Sequence, residues 1–266
     1  MICTRLIRVA LPLLFALGCG DVPARESARC AAGADTRVVV IFWDQSTSAM
    51  ANQSAAAVFA DSLNNLVATA LKCPGSRVAG FLVHARTRGK AHRVREGNTL
   101  KLPPTSGPRN KVVRDSLRYE MELGKLIEQT REHLAALIQS TSLPPELAAQ
   151  TDLLGTFEVL SEELADAPDH AVKQVYYFSD MYESMTGPGR RDFDRRPPRD
   201  FSEAEAWARA DADYVRKNTS VVPSRFADVE VRVLTEGLGN RADADQVRRY
   251  WEVLFAELGF RRVRFN

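Results

Sequence analysis

Three stretches of the chain carry oxygen-bearing side chains that could surround one metal ion. Asp44, Ser46 and Ser48 alternate directly after a run of uncharged, mostly β-branched or aromatic residues. Asp180 follows a second such run, and Thr151 lies between the two in the sequence. Carboxylate and hydroxyl oxygens are hard ligands, which suit Mg²⁺ best and also Mn²⁺ or Ca²⁺, rather than Zn²⁺. The residue types therefore predict a divalent-cation site.

The surrounding elements predict where this site lies. Strand-like apolar runs at residues 37–43, 77–84 and 173–180 alternate with stretches whose apolar residues recur at helical spacing. This alternation indicates an α/β fold with a doubly wound, mostly parallel central sheet flanked by helices. Ligands bind such sheets in the crevice at the carboxyl ends of the strands, and Asp44 and Asp180 both fall at strand ends.

The remaining pattern predicts the sheet edges and the later helices. The charged stretch 86–96 is expected to return as one short antiparallel edge strand, and residues 261–265 as a last strand with one buried face. Helices are expected at 110–140, 152–165, 202–218 and 243–258. The first of these has an apolar stripe at helical spacing: Val113, Leu117, Met121, Ile127, Leu134 and Ile138. The last should bury Tyr250, Trp251 and Phe255, with Phe260 just beyond it.

The five oxygen-bearing residues resemble the metal-ion-dependent adhesion site of von Willebrand factor type A (vWA) domains, in the order Asp44-x-Ser46-x-Ser48, Thr151, Asp180. The order of elements agrees with that family from Val38 to Phe265, which is nearly the whole of the expected mature chain. The resemblance implies that both serines ligate the ion, that the threonine is a switchable ligand, and that the two aspartates hold the ion, often through water. It also implies a binding function rather than catalysis.

The charges explain how such a site binds a partner. Two carboxylates balance the +2 charge of the ion, and the neutral hydroxyls leave it electrophilic with one open position. An exposed Asp or Glu of a protein partner could fill that position. Met181 departs from the family, which often has a glycine after the last aspartate, and Met181 is expected to narrow access to the ion.

Two alternatives to the binding module remain open. A metal-dependent phosphohydrolase, of the haloacid dehalogenase kind, would use Asp44 as its nucleophile. Such enzymes need a second aspartate two residues later as general acid, and this chain has Ser46 there. The other alternative is a metal-free scaffold, in which serine and threonine at these positions cap helices.

The N-terminus resembles that of an exported bacterial lipoprotein. Arg5 and Arg8 precede an apolar run, Val9–Leu17, which is shorter than the roughly 20 residues needed to span a bilayer. The sequence "ALGC" resembles a lipobox and implies lipidation at Cys19, with an ordinary secretory signal as the alternative. We predict a signal peptide at 1–18, a flexible tether at 19–36 and one vWA-like domain at 37–266, anchored in the bacterial cell envelope facing the periplasm or the cell surface.

Charge and cysteine content complete the expectations. Loss of Arg5 and Arg8 with the signal reduces the 36 basic residues to 34, against 34 acidic ones, so we expect no nucleic-acid partner. We also expect the protein to be a monomer. Cys30 and Cys73 could pair in an oxidising compartment, with two free thiols as the alternative. The arginine-rich loop 187–200 is expected to be a solvated insertion; the alternative is that it rims the site and steers an acidic partner.

Overall fold

The computed structural model of this chain describes residue 30 and residues 35–46, 53–89, 92–139, 147, 149–187, 189–235 and 241–266. The predictions for the signal peptide, for Cys19 and for Ser48 lie outside these ranges. In the first helix, side chains are described from residue 62 onward.

Six strands form one sheet. In chain order they are β1 (Arg37–Asp44), β2 (Arg77–Val83), β3 (Arg93–Gly97), β4 (Val172–Phe178), β5 (Val229–Leu234) and β6 (Arg262–Phe265). Their order in the sheet is β3-β2-β1-β4-β5-β6. Only β3 is antiparallel to its neighbour, as predicted for the charged edge. The order reverses between β1 and β4, which is the place where sheets of this kind bind ligands.

Five α-helices lie in the described part of the chain: α1 (Gln53–Ala70), α2 (Arg109–Gln139), α3 (Thr156–Glu163), α4 (Phe201–Asn218) and α5 (Ala244–Glu257). They cover both faces of the sheet. Val39 and Ile41 of β1 pack with residues of α1 and α2, whereas Val38 and Val40 pack with residues of α3, α4 and α5. The doubly wound α/β prediction is confirmed, and the aromatic residues of α5 are buried as expected.

The long helix α2 packs on the sheet through its C-terminal half only. Leu134 approaches β2 so closely that a Cβ on Gly80 would lie 2.4 Å from Leu134 Cδ2. Val113, Leu117 and Met121 are instead 50%, 56% and 64% exposed. The N-terminal part of the apolar stripe is therefore exposed, because α2 is longer than the sheet that supports it. Within the described residues, no helix is both long and apolar enough to cross a membrane.

A disulfide joins the segment before β1 to the turn before β2, and this prediction is confirmed. The sulfurs of Cys30 and Cys73 are bonded, with their Cα atoms 5.6 Å apart and a sequence separation of 43. A loop of this length is stabilised by about 4 kcal/mol in the chain-entropy model. The crosslink lies at the amino edge of the sheet, where the strands begin.

Candidate metal site

The carboxylate of Asp44 is held where β1 ends beside β4. Trp43 pairs with Phe178 in the strand register, so Asp44 lies next to Ser179. The Ser179 hydroxyl donates a hydrogen bond of 2.7 Å to Asp44 Oδ2, and the Ser46 backbone N–H donates one of 2.8 Å to Asp44 Oδ1. Both carboxylate oxygens are therefore fixed by their neighbours. Ser179 was missed by the sequence reasoning, although aligning the ends of β1 and β4 would have placed it there.

Asp180 brings a second carboxylate to the same place. Asp44 is 2% exposed and Asp180 is 7% exposed, and Asp180 Oδ1 accepts a hydrogen bond of 3.1 Å from the Tyr182 N–H. Burial, followed by the negative charge of Asp180, raises the pKa of Asp44 from 3.8 to about 7, although the hydrogen bonds from Ser179 and Ser46 oppose that shift. A dication between these carboxylates would relieve their repulsion.

The residue after Asp180 has an unusual backbone conformation. Met181 has a φ of 62°, in the left-handed region that glycine adopts without steric cost. Its N–H donates to Ser179 Oγ at 2.9 Å, and its carbonyl accepts a hydrogen bond of 2.7 Å from Trp251 Nε1. Its side chain is fully buried within the core, so the expectation that Met181 narrows access to the ion has no support.

Thr151 reaches the same edge through the segment that follows Asp180. The Thr151 N–H donates to Ser184 Oγ at 2.7 Å, and the Thr151 carbonyl accepts from the Ser184 N–H at 3.2 Å. The expectation of a helix from residue 152 is wrong at its start, since α3 begins at Thr156. Residues 152–155 form a turn instead, in which Asp152 Oδ1 accepts the Gly155 N–H at 2.6 Å.

The structure thus places four of the five predicted ligands and brings three of them together. Asp44, Ser46 and Asp180 are neighbours, and Thr151 is fixed against the loop after Asp180. Across the described ranges, no group of three or more His, Cys, Asp or Glu residues could hold a metal. The predicted site differs from such groups because it has two carboxylates and takes its other ligands from hydroxyls. This donor set, with its buried carboxylate pair, fits a hard dication.

A buried ion network supports the loops of the site, and the sequence reasoning missed it. Arg190 lies between two acids: it hydrogen-bonds Asp152 Oδ1, and its Nη1 is 3.4 Å from Glu183 Oε1. Glu183 Oε2 also accepts the N–H groups of Leu153 and Leu154, at 2.6 and 3.2 Å. Burial raises the pKa of Glu183 to about 8, against the opposing effect of the Arg190 charge. The one sequence feature that pointed to this network was the position of Asp152 directly after the predicted ligand Thr151.

Residues 190–193 of the arginine-rich loop are packed against the domain, so the expectation of a solvated insertion is wrong for them. The side chains of Arg195, Arg196 and Arg199 are instead 83%, 72% and 77% exposed. Arg191 donates to both oxygens of Asp211 at 2.7 and 2.8 Å, and its guanidinium lies 4.6 Å from the ring centre of Trp207. Phe193 is fully buried against Tyr250. Each of the five arginines pairs with a carboxylate: Arg190 with Asp152 and Glu183, Arg191 with Asp211, Arg195 with Asp192, and Arg196 and Arg199 with Glu203.

Comparison with known proteins gives only distant structural neighbours. No family model matches the chain, and no curated protein matches it. Solved structures to which it is similar include two of proximal thread matrix protein 1 from the mussel byssus. One is 12% identical with a TM-score of 0.36, covering 84% of this chain and 48% of the other. The second is 14% identical with a TM-score of 0.38, covering 85% and 46%. The chain thus spans about half the length of these structures.

Proposed function

We propose that this protein is a noncatalytic binding module of the vWA type, which engages an acidic residue of a protein partner through a divalent cation. The buried pair of Asp44 and Asp180, beside Ser46 at the carboxyl ends of β1 and β4, is the observation that supports it most directly. Two buried like charges are costly unless a cation or a proton offsets them. Mg²⁺ is the cation best suited to this all-oxygen donor set.

The number of carboxylates in the site favours an ion that can still bind a carboxylate of a partner, rather than an ion whose charge the protein already over-compensates. Asp44 and Asp180 together neutralise a dication without making the site anionic, and Ser46, Ser48 and Thr151 would add no charge. The ion therefore retains affinity for a carboxylate supplied from outside. We further propose that the protein is anchored in the bacterial cell envelope through lipidated Cys19, so that the partner is an envelope or extracellular protein.

The first test is calorimetric titration of Mg²⁺ and of Mn²⁺ into protein stripped with a chelator. We expect one ion to bind to the parent and none to Asp180→Asn. Asp169→Asn is the matched control, because Asp169 is exposed and lies before β4, at the other edge of the sheet. Equal binding by the parent and by Asp180→Asn would refute the site.

The second test separates a binding module from an enzyme. With Mg²⁺ present, an aspartate-containing tripeptide should bind, and the same tripeptide with asparagine should not. The phosphohydrolase alternative predicts turnover of a p-nitrophenyl phosphate panel that is lost in Asp44→Asn. We expect no turnover; a rate that depends on Asp44 would replace the proposed function with that enzyme.

A further inference from the structure

The first three turns of α2, residues Arg109–Met121, form an overhang that the sheet does not support. A helix of 31 residues is about 46 Å long, whereas the 8-residue strand β1 spans about 26 Å. The C-terminal end of α2 lies at the carboxyl edge of the sheet, where Gln45 Nε2 donates to the Ile138 carbonyl at 2.8 Å. The overhang therefore projects from the opposite, amino edge.

The overhang combines an apolar stripe with basic side chains. One face of it carries three apolar and three arginine side chains together with Asn110: Val113, Leu117, Met121, Arg109, Arg114 and Arg118. The overhang carries four basic residues and two acidic ones. A basic amphipathic helix can bind in the headgroup region of a bilayer, with its apolar side chains inserted and its basic ones at the lipid phosphates.

Cys30 lies beside this overhang. The Tyr119 hydroxyl donates to the carbonyl oxygen of Lys72 at 3.3 Å, and the Cys30 sulfur lies 3.7 Å from the same oxygen. The disulfide to Cys73 fixes Cys30 there. Cys19 is eleven residues before Cys30, a length of chain that reaches at most about 40 Å when fully extended.

We propose that the overhang docks on the surface of a bilayer that contains anionic phospholipid. This proposal rests on the anchoring part of the proposed function, because a lipid on Cys19 would hold the overhang close to a membrane. The overhang would add a second contact with the membrane, made by its apolar and its basic side chains. Two contacts fix the orientation of the domain, whereas a flexible tether alone does not. In that orientation the axis of α2 runs along the membrane surface, and Asp44 and Asp180 lie near its C-terminal end, at the carboxyl edge of the sheet.

The test measures cosedimentation with vesicles, using residues 20–266 without any lipid. All described elements and the disulfide lie within these residues. We expect binding to vesicles of phosphatidylglycerol and phosphatidylcholine in equal parts, much weaker binding to phosphatidylcholine alone, and weakening by salt. Leu117→Glu should reduce the partition by about tenfold or more. Phe201→Glu is the matched control and should change nothing, since Phe201 is 55% exposed and Leu117 is 56% exposed.

Three outcomes would overturn the proposal: equal binding to neutral vesicles, binding unchanged by Leu117→Glu, or self-association in sedimentation velocity that Leu117→Glu abolishes. The last would identify a second copy of the chain as the occupant. The assay is run in chelator and repeated with Asp44→Asn, which should bind vesicles as the parent does. The outcome of this test therefore does not depend on whether the metal site binds an ion or whether Cys19 is lipidated. The proposed function and the membrane contact can each be refuted without the other.

Discussion

The indole Nε1 of Trp251, on α5, donates a hydrogen bond of 2.7 Å to the carbonyl oxygen of Met181, the residue directly after Asp180. Met181 is held at a φ of 62°, a conformation that costs a residue with a side chain about 1–2 kcal/mol. Burial of the methionine and its two backbone hydrogen bonds offset that cost. The turn that follows the second carboxylate of the site is thus set by the core of the domain.

Replacement of Met181 should separate strain from burial. We expect Met181→Gly and Met181→Ala both to destabilise the protein, because each loses a buried side chain worth about 2–4 kcal/mol. Glycine should be less damaging than alanine by about 1 kcal/mol, because glycine adopts the left-handed region freely. Urea unfolding of the three proteins measures both differences. An alanine variant as stable as the glycine variant would show that the backbone is not strained.

Arg190 should be far more important for stability than its neighbour Arg195, although both lie in one loop. The Arg190 side chain is 11% exposed between Asp152 and Glu183, whereas that of Arg195 is 83% exposed. Arg190→Met leaves two buried acidic side chains without the guanidinium that they share, which should reduce the free energy of unfolding by about 3–5 kcal/mol. Arg195→Met should change it by less than about 0.5 kcal/mol. Similar losses for the two variants, measured by urea unfolding, would contradict the buried network.

The fold could be predicted because its signals are local. Continuous apolar runs such as that of β1 have few interpretations other than a strand buried on both faces, and the helical periodicity between them sets the α/β order. Asp44 and Asp180 followed from the same reasoning, since a residue directly after a parallel strand must lie at the carboxyl edge. The proximity of Cys30 and Cys73 followed likewise, since both precede neighbouring strands.

What the sequence did not reveal depends on long-range contacts. Periodicity identified the apolar side of α2, but not that the sheet ends before Leu117, because helix length and sheet depth are set by different parts of the chain. The arginine-rich loop appeared solvated because its composition is polar. Its partners Asp152, Glu183 and Asp211 lie up to 38 residues away in sequence, and only the tertiary structure brings them to Arg190 and Arg191.

His84, directly after β2, should make the stability depend on pH. It is buried, and its Nδ1 accepts the Arg86 N–H at 3.0 Å. Burial, followed by the charge of His92, lowers the pKa of His84 below its ordinary 6.5, although Asp152 opposes the shift. The unfolded chain therefore binds the proton more tightly, so stability that His84 contributes above pH 6.5 is lost as the pH falls through that value.

The variant His84→Asn tests this dependence, since asparagine can accept the same N–H without titrating. Unfolding free energies at pH 7.5 and pH 5.5 should differ less in the variant than in the parent. The other titrating groups are common to both proteins, so the comparison isolates His84. His170→Asn, at an exposed position, should behave as the parent does. Equal pH dependence in all three proteins would rule out a contribution from His84.

Asp44→Asn should have opposite effects with and without a cation. In chelator at pH 8, where Asp44 is ionised, the substitution removes one of two buried like charges and should raise the free energy of unfolding by about 1 kcal/mol. With Mg²⁺ at a hundred times its dissociation constant, the parent should gain about 2.7 kcal/mol and the variant nothing. Thermal unfolding in both buffers measures the two effects. If Mg²⁺ stabilises the variant as much as the parent, the ion binds away from Asp44. If the variant is less stable than the parent in chelator, the two carboxylates do not repel each other in the folded protein.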